Sequence, residues 1–254
     1  MNIAVVTGAS SGMGREFAKR IDKENLDEIW AIALDSEGLK ELSKEVKTSV
    51  KLFPLDLTKE ESFTEINNAL EENKPNIKWL VNASGFGKFG RNTDIDTSAL
   101  TNMIDLNCKA LVKLTQDCLK YMKEGARIVQ FGSVAAFQPI PFISVYGATK
   151  AFVLSYSRSL NVELKPRKIS VSCICPFWTK TQFFKRAVDP KNAVVKKYIC
   201  MYDAGKVIDK AYKDSLKRKE ISIYGVKARN QVRLVKLLPH KLVMKIWTRQ
   251  QKLK

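Results

Sequence analysis

Several shortages in the chain narrow what it can be. No apolar run among its 254 residues approaches the roughly 18 needed to span a bilayer, so no segment reads as a transmembrane helix. Low-complexity tracts, internal repeats and linker-like stretches are missing, and 45% of the residues are hydrophobic, which suits one large core. The N-terminus enters an apolar strand pattern without a charged leader or a small-residue cleavage site, and a cytoplasmic protein is expected. Cysteine is sparse and unpatterned. Cys108, Cys118, Cys173, Cys175 and Cys200 form an odd set without zinc-like spacing, so free thiols in a reducing compartment are expected and no metal site. The one histidine, His240, lies beside Pro239 near the end of the chain and is given no catalytic part. Acid is scarce in one region only. Residues 1–179 hold 23 Lys+Arg against 21 Asp+Glu, a net of +2, whereas residues 180–254 hold 21 against 5, a net of +16. The total of +18 therefore belongs to the last third of the chain.

What the chain does have is a regular alternation of patterns. Short apolar runs occupy residues 2–7, 29–34, 50–53, 77–81, 127–131 and 169–175. Helical spacing lies between them: Phe17, Ala18 and Ile21; Phe63, Ile66 and Leu70 within 59–72; Leu100, Ile104, Leu111, Leu114 and Leu119 within 97–122. Another helix carries Tyr146 and runs to about Leu164. Apolar strands alternating with helices imply βαβ units and a parallel sheet covered on both faces. Residues 221–224 are a candidate seventh strand at the sheet edge. The expected fold is α/β: one doubly wound domain over 1–254, about seven strands in the sheet, and a helical C-terminal extension.

Two motifs point to chemistry. Tyr146 and Lys150, four residues apart, share a helix face about one turn from each other, with Ser133 thirteen residues upstream. A phenol with a pKa of about 10 is a poor acid or base at neutral pH, and a neighbouring ammonium lowers it toward the working range. A serine hydroxyl at the same place orients a carbonyl oxygen. The set suits proton transfer to or from a carbonyl or alcohol, although this spacing also arises by chance in many helices. The second motif, Gly8-x-x-x-Gly12-x-Gly14, joins the first strand to the first helix. Glycines there allow a tight turn and let the backbone approach a pyrophosphate at the helix N-terminus. The plain alternative is a structural turn, and the position after the very first strand favours the phosphate loop.

Taken together, Thr7-Gly8-Ala9-Ser10-Ser11-Gly12-Met13-Gly14, Asp56, Asn82-Ala83-Ser84-Gly85, Asn107, Ser133, Tyr146 and Lys150 resemble the short-chain dehydrogenase/reductase family in order and spacing, over roughly residues 1–182. The resemblance implies a Rossmann-type domain and hydride transfer between a nicotinamide cofactor and a ketone or secondary alcohol. It implies Tyr146 as general acid/base, Lys150 lowering its pKa and bonding the nicotinamide ribose, Ser133 holding the substrate oxygen, and Asn107 anchoring a water in the proton relay. It places Gly8, Ser10, Ser11, Gly12, Met13 and Gly14 at the pyrophosphate, Asp56 with Leu57 at the adenine, and Asn82, Ala83, Ser84 and Gly85 beside the adenosine. Pro176, Thr179 and Thr181 fall near the nicotinamide. Two departures stand out: Asn82-Ala83-Ser84-Gly85 replaces the usual Asn-Asn-Ala-Gly, and Pro176-Phe177 the usual Pro-Gly.

Asp35, 21 residues beyond Gly14, sits where an acid hydrogen-bonds ribose hydroxyls and repels a 2′-phosphate, and no cation is apparent there. NAD(H) is favoured over NADP(H). Asp35 alternatively caps the next helix.

The last third carries the expected specificity elements. Residues 177–220 are expected to form a substrate loop or lid. Phe177, Trp178, Phe183 and Phe184, with Tyr198, Met201 and Tyr202, either fill core or line a pocket for a sizeable hydrophobic carbonyl substrate, hydroxysteroid-like or acyl. Residues 226–254 hold nine basic residues and no acid. Leu242, Val243, Ile246 and Trp247 share one helical face, and Lys241, Lys245, Arg249 and Lys252 another. Such a helix packs on its own domain or a second subunit; contact of residues 239–254 with an anionic membrane, or with an acidic partner such as an acyl carrier protein, is the alternative. Nucleic acid is not expected. The expected function is an NAD(P)(H)-dependent oxidoreductase on hydrophobic ketones and secondary alcohols, as a homodimer or homotetramer. The alternatives are a 3-oxoacyl reductase on carrier-bound chains and a low-turnover, membrane-associated regulatory protein that binds the cofactor.

Overall fold

Strands that are apolar throughout, rather than every second residue, belong in a sheet with both faces covered. The computed structural model, which describes residues 1–188, 193–195 and 197–253, shows that arrangement. Among the described residues the strands are β1 (Asn2–Thr7), β2 (Glu28–Ile32), β3 (Ser49–Phe53), β4 (Asn76–Asn82), β5 (Arg127–Phe131), β6 (Ser170–Ile174), β7 (Thr179–Lys180), β8 (Tyr202–Asp203) and β9 (Ile221–Ser222). Seven of them form one parallel sheet in the order β3-β2-β1-β4-β5-β6-β9, and β7 pairs with β8 in a separate ribbon. The expected edge strand is present but short, pairing only Cys173 with Ile221 and Ile174 with Ser222.

The helices are α1 (Gly12–Ile21), α2 (Ser36–Glu45), α3 (Glu60–Asn73), α4 (Thr97–Ile104), α5 (Leu111–Leu119), α6 (Ser144–Glu163), α7 (Phe183–Ala187), α8 (Ala204–Leu216), α9 (Val226–Leu237) and α10 (His240–Gln250). Successive side chains of β1 point to opposite faces of the sheet, so Ile3 and Val5 enter one core while Ala4 and Val6 enter the other. The first core is completed by Phe63 and Ile66 of α3, Leu114 of α5 and Leu160 of α6. The second is completed by Phe17 and Ile21 of α1, Leu39 of α2 and Ile208 of α8. The chain thus has the α/β Rossmann-type fold.

Two features of this fold create the site. The strand order reverses between β1 and β4, which opens a crevice at the carboxyl ends of the strands. All the sheet pairings are parallel, so the segments after β1, β2, β4, β5 and β6 emerge at that same edge. The helix expected over 97–122 is interrupted: α4 and α5 are joined by a wider π-type turn at Asp105–Ala110, which contains Asn107. Such turns displace the backbone locally and are frequent at functional sites.

Candidate active site

A cleft of about 900 Å³ runs along the carboxyl edge of the sheet, from the β1–α1 turn to α9 and α10. Gly8, Ser10, Ser11, Gly12, Met13, Gly14, Asp35, Asp56, Leu57, Ala83, Ser84, Gly85, Ser133, Tyr146, Lys150, Pro176, Thr179 and Thr181 all line it. Of the residues singled out in the sequence, Asn82 and Asn107 stand behind its wall. Asn82 donates from Nδ2 to the buried Thr115 hydroxyl at 3.0 Å and fixes the end of β4.

At one end the β1–α1 turn forms an anion cradle. Gly12 has φ +57°, the left-handed region where a side chain is strained, and a Cβ on Gly14 would come within 2.3 Å of the Gly8 carbonyl oxygen. The helix therefore starts directly against the turn. Ser11, at the N-cap, makes no side-chain capping bond, so the first-turn N–H groups of α1 are open to an anion. Thr7 Oγ1 accepts from the backbone N–H of both Ala83 and Ser84 at 3.0 Å, which holds the departing sequence after β4 against β1. Thr181 packs over Gly12 from the opposite side. A nicotinamide dinucleotide's pyrophosphate fits these groups.

The neighbouring rim is acidic. Asp35 does cap α2, its Oδ1 accepting from Gly38 N–H at 3.1 Å, and it also lines the cleft with Glu37 and Glu41. Arg15 reaches the same rim but is held by Glu41 at 3.0 Å and Glu45 at 3.1 Å. Asp56 closes the turn before α3 by accepting from Thr58 N–H and Oγ1 at 2.9 and 2.8 Å.

At the centre, α6 presents Tyr146 and Lys150 beneath Ser133, which follows β5. Lys150 is buried, donates from Nζ to the Phe131 carbonyl at 2.7 Å, and lies 5.7 Å from the centre of the Tyr146 ring. Burial pulls its pKa down to about 8. Burial also pushes the Tyr146 phenol up to about 12, a rise that the Ser133 hydroxyl only partly offsets. Burial dominates, so in the nucleotide-free protein the phenol stands above its ordinary value, although Lys150 lies one turn away. Ser133 Oγ also accepts from Ala135 N–H at 3.1 Å, which fixes its rotamer.

Asn107 uses its side chain as a brace. Its Nδ2 donates to Phe86 O at 2.9 Å and Thr149 Oγ1 at 3.1 Å, and its Oδ1 accepts from Phe86 N–H at 3.1 Å. The amide thus ties the loop after β4 to the helix that carries Tyr146. Cys173 of β6 and Cys175 just beyond it have their sulfurs 3.7 Å apart, and all five cysteines are free thiols.

At the far end the lining is aromatic. The rings of Phe89, Tyr146 and Phe183 form a triangle with centres 6.0, 5.5 and 6.0 Å apart. Phe177, Trp178 and Phe184 line the cleft with them, whereas Tyr198, Met201 and Tyr202 do not. Tyr202 instead packs edge-on against Tyr224. Sequence reasoning missed Phe89, Gln138, Ile143, Val243 and Trp247 as lining residues. Only the Val243/Trp247 spacing on α10 carried a signal, a stripe expected to pack on its own domain or a second subunit, and nothing in it pointed to the cleft. Trp247 donates from Nε1 to the Pro141 carbonyl at 3.0 Å, so α10 forms the outer wall. Its apolar face is split: Val243 is buried, while Leu242 and Ile246 are 43% and 40% exposed. Among the described residues no helix is long and apolar enough to cross a membrane.

The sequence model of the family described as short chain dehydrogenase matches residues 2–192. The chain belongs to that family. This short-chain dehydrogenase is an oxidoreductase acting on CH–OH groups with a nicotinamide cofactor. It is 34% identical over 191 residues to sulfoacetaldehyde reductase 2 of Chromohalobacter salexigens, covering 72% of this chain and 74% of that one. Its fold matches a short-chain dehydrogenase from Sphingobium yanoikuyae solved in complex with NADPH, with TM-score 0.77 and 27% identity over 94% of this chain and 97% of that one. It also matches a bulky-bulky ketone specific alcohol dehydrogenase from Comamonas testosteroni, with TM-score 0.73 and 25% identity over 93% and 92% of the two chains.

Proposed function

We propose that this dehydrogenase interconverts a bulky hydrophobic ketone and its secondary alcohol using NAD(H), with Tyr146 as the general acid and base. The observation that carries the reading is the position of Tyr146: its ring is boxed by Phe89 and Phe183 in the same cleft that begins at the anion cradle of α1. The alcohol dehydrogenase of Comamonas testosteroni, with its bulky ketones, supports a substrate of that kind.

The nucleotide would be held by the turn from Gly8 to Gly14, by Asp56 and Leu57, by Ala83–Gly85 and by Pro176, Thr179 and Thr181, and it would supply or accept the hydride. The chain's own groups manage the proton. A phenol with a pKa of about 12 is fully protonated at neutral pH and donates to the ketone oxygen as that oxygen gains charge. Ser133 donates a second hydrogen bond to the same oxygen. The phenolate left behind faces the Lys150 ammonium, which has used one of its three N–H donors on Phe131 and has two for the phenolate and a ribose hydroxyl. Asn107 acts through position, holding Phe86 and α6 in register around the ring.

The preference for NAD(H) rests on charge. Asp35, Glu37 and Glu41 border the cleft, and the one nearby guanidinium, Arg15, is engaged by Glu41 and Glu45. A 2′-phosphate there meets carboxylates; the NADPH bound by the Sphingobium yanoikuyae enzyme marks the rival reading.

We infer a homo-oligomer from Phe152 and Val162, which α6 leaves 43% and 70% exposed. Residues 177–220 serve as the substrate lid and 226–254 as its basic support within one domain; residues 189–192, 196 and 254 of these lie outside the described residues. Five free thiols suit a cytoplasmic setting, and Leu242 and Ile246 with the basic face of α10 suit transient contact with an anionic membrane.

The test is turnover of a panel of ketones of increasing bulk with NADH and with NADPH, alongside Tyr146→Phe. Bulky ketones reduced with NADH, and loss of turnover in Tyr146→Phe, support the reading; NADPH-only turnover removes the cofactor assignment.

A further inference from the structure

Charge within the cleft is segregated. Every acidic residue that lines it, Asp35, Glu37, Glu41 and Asp56, follows β2 or β3, beside the anion cradle. Its cations are Arg15, Lys150, Lys185, Arg186 and Lys197. Arg15 is paired with glutamates and Lys150 is buried against Phe131, which leaves three on the substrate loop. Lys185, Arg186 and Lys197 are exposed, and none forms an ion pair among the described residues. Residues 177–202 hold six Lys+Arg and one acid, Asp189, which lies outside the described residues.

Position relates these cations to the reacting centre. Phe183, the first residue of α7, has its ring centre 5.5 Å from that of Tyr146. Lys185 and Arg186 follow within one helical turn, about 5 Å further along the axis, so the cations stand on the order of 10 Å from the phenol. The surface between is apolar: Phe89, Ile143, Trp178, Phe183 and Phe184. Lys197 lines the same cleft, and Gln251 pins its backbone there, its Oε1 accepting from Lys197 N–H at 2.9 Å.

We propose that the substrate carries an anionic group, carboxylate or phosphate, at the end remote from its carbonyl, and that Lys185, Arg186 and Lys197 select it. The inference rests on the ketone-site reading above and names its substrate class. An apolar body fills the aromatic stretch, the carbonyl meets Tyr146 and Ser133, and the anion meets the three cations at the mouth. Exposed cations are screened within about 8 Å at physiological ionic strength, so each contributes only a few-fold and the three together about tenfold. The same charge raises the encounter rate of an anionic substrate and makes it depend on salt.

The experiment measures kcat/KM of the full-length protein with saturating NADH on matched probes. One pair is oxooctanoate with its ketone at the penultimate carbon, against the methyl ester of the same acid. A second pair is acetoacetyl-coenzyme A against the N-acetylcysteamine thioester of acetoacetate, which separates a phosphate-bearing handle from a carboxylate. We expect one charged probe to exceed its uncharged partner by about tenfold at low salt, with the ratio falling toward one at about 1 M salt and in the Lys185→Gln/Arg186→Gln/Lys197→Gln variant. A preference in the first pair identifies a carboxylate and in the second a phosphate. Equal turnover within both pairs, or a preference that the triple variant retains, overturns the proposal while leaving the ketone-site reading intact. Reduction of none of the four probes by protein that does reduce bulky uncharged ketones overturns this inference alone, and reduction of neither set with either nucleotide overturns the ketone-site reading with it.

Discussion

Gln251 grips the backbone of Lys197 from both sides, accepting its N–H at 2.9 Å and donating to its carbonyl at 3.1 Å. The side chain is only 1% exposed and fastens the end of α10 to the chain segment before β8. The outer wall of the cleft is therefore a closed brace, anchored at Lys197 by Gln251 and at Pro141 by Trp247. Gln251→Ala removes both hydrogen bonds to the Lys197 backbone, a loss of about 1–3 kcal/mol. We expect Tm to fall by several degrees and KM for a bulky ketone to rise more than kcat falls, since the change acts on the wall and leaves Tyr146 in place. A kcat-only effect would place Gln251 in a different role.

Lys150 is predicted to destabilise the free protein. Its folded pKa of about 8 lies below its ordinary 10.5, so the unfolded chain binds more protons between these values. Stability then rises with pH across that window, and below about pH 8 the full burial penalty of the ammonium, about 3 kcal/mol, is present. Lys150→Met removes the penalty but leaves the Phe131 carbonyl without its donor, so the net gain at pH 7 is about 1–2 kcal/mol. Thermal unfolding of the nucleotide-free protein should show the variant more stable at pH 7 and this advantage shrinking toward pH 10.5. An advantage that grows with pH would reverse the assignment.

Tyr146 and Lys150 are predicted to set the pH dependence of reduction. The quantity kcat/KM reports ionisations of the free enzyme. A phenol at about 12 produces no decline across the neutral range, whereas loss of the Lys150 proton does so above about pH 8. Reduction is expected to be flat below about pH 8 and to fall above it, with Lys150→Arg moving the fall upward because a guanidinium keeps its proton. A fall that stays in place in Lys150→Arg would assign it to another group.

Asp35 both caps α2 and faces the cleft, so a useful variant must keep the cap. Asp35→Ser retains a capping hydroxyl while removing the carboxylate. The Kd for NADPH, read by nucleotide fluorescence, should drop by about tenfold relative to that for NADH, the scale of removing one close like charge. An unchanged ratio would mean that Glu37 and Glu41 carry the discrimination.

The sequence made the sheet readable because its strands are buried on both faces and appear as unbroken apolar runs; β1 and β6 are examples, each buried over nearly its whole length. The cleft was readable as far as backbone geometry demanded particular residues, as at Gly12 and Gly14, or as a family pattern marked them, as at Ser133, Tyr146 and Lys150. What escaped depends on contacts between distant parts of the chain. Trp247 meets Pro141 across 106 positions, and Phe89 meets α7 through the Ala187 carbonyl, neither of which leaves a local pattern. The π-type turn at Asn107 was hidden because it keeps the apolar spacing of an ordinary helix. The high pKa of Tyr146 was missed for a different reason: spacing reveals a neighbouring lysine but not how much protein the fold packs around the phenol.

The most direct test of the account is the single-turnover rate of hydride transfer from NADH to a bulky ketone by wild type and Tyr146→Phe at pH 7, with folding of the variant checked by circular dichroism. The general-acid role predicts a fall of about 10²–10⁴-fold in the variant. A variant rate within about twofold of wild type would contradict it and would move the proton source away from Tyr146.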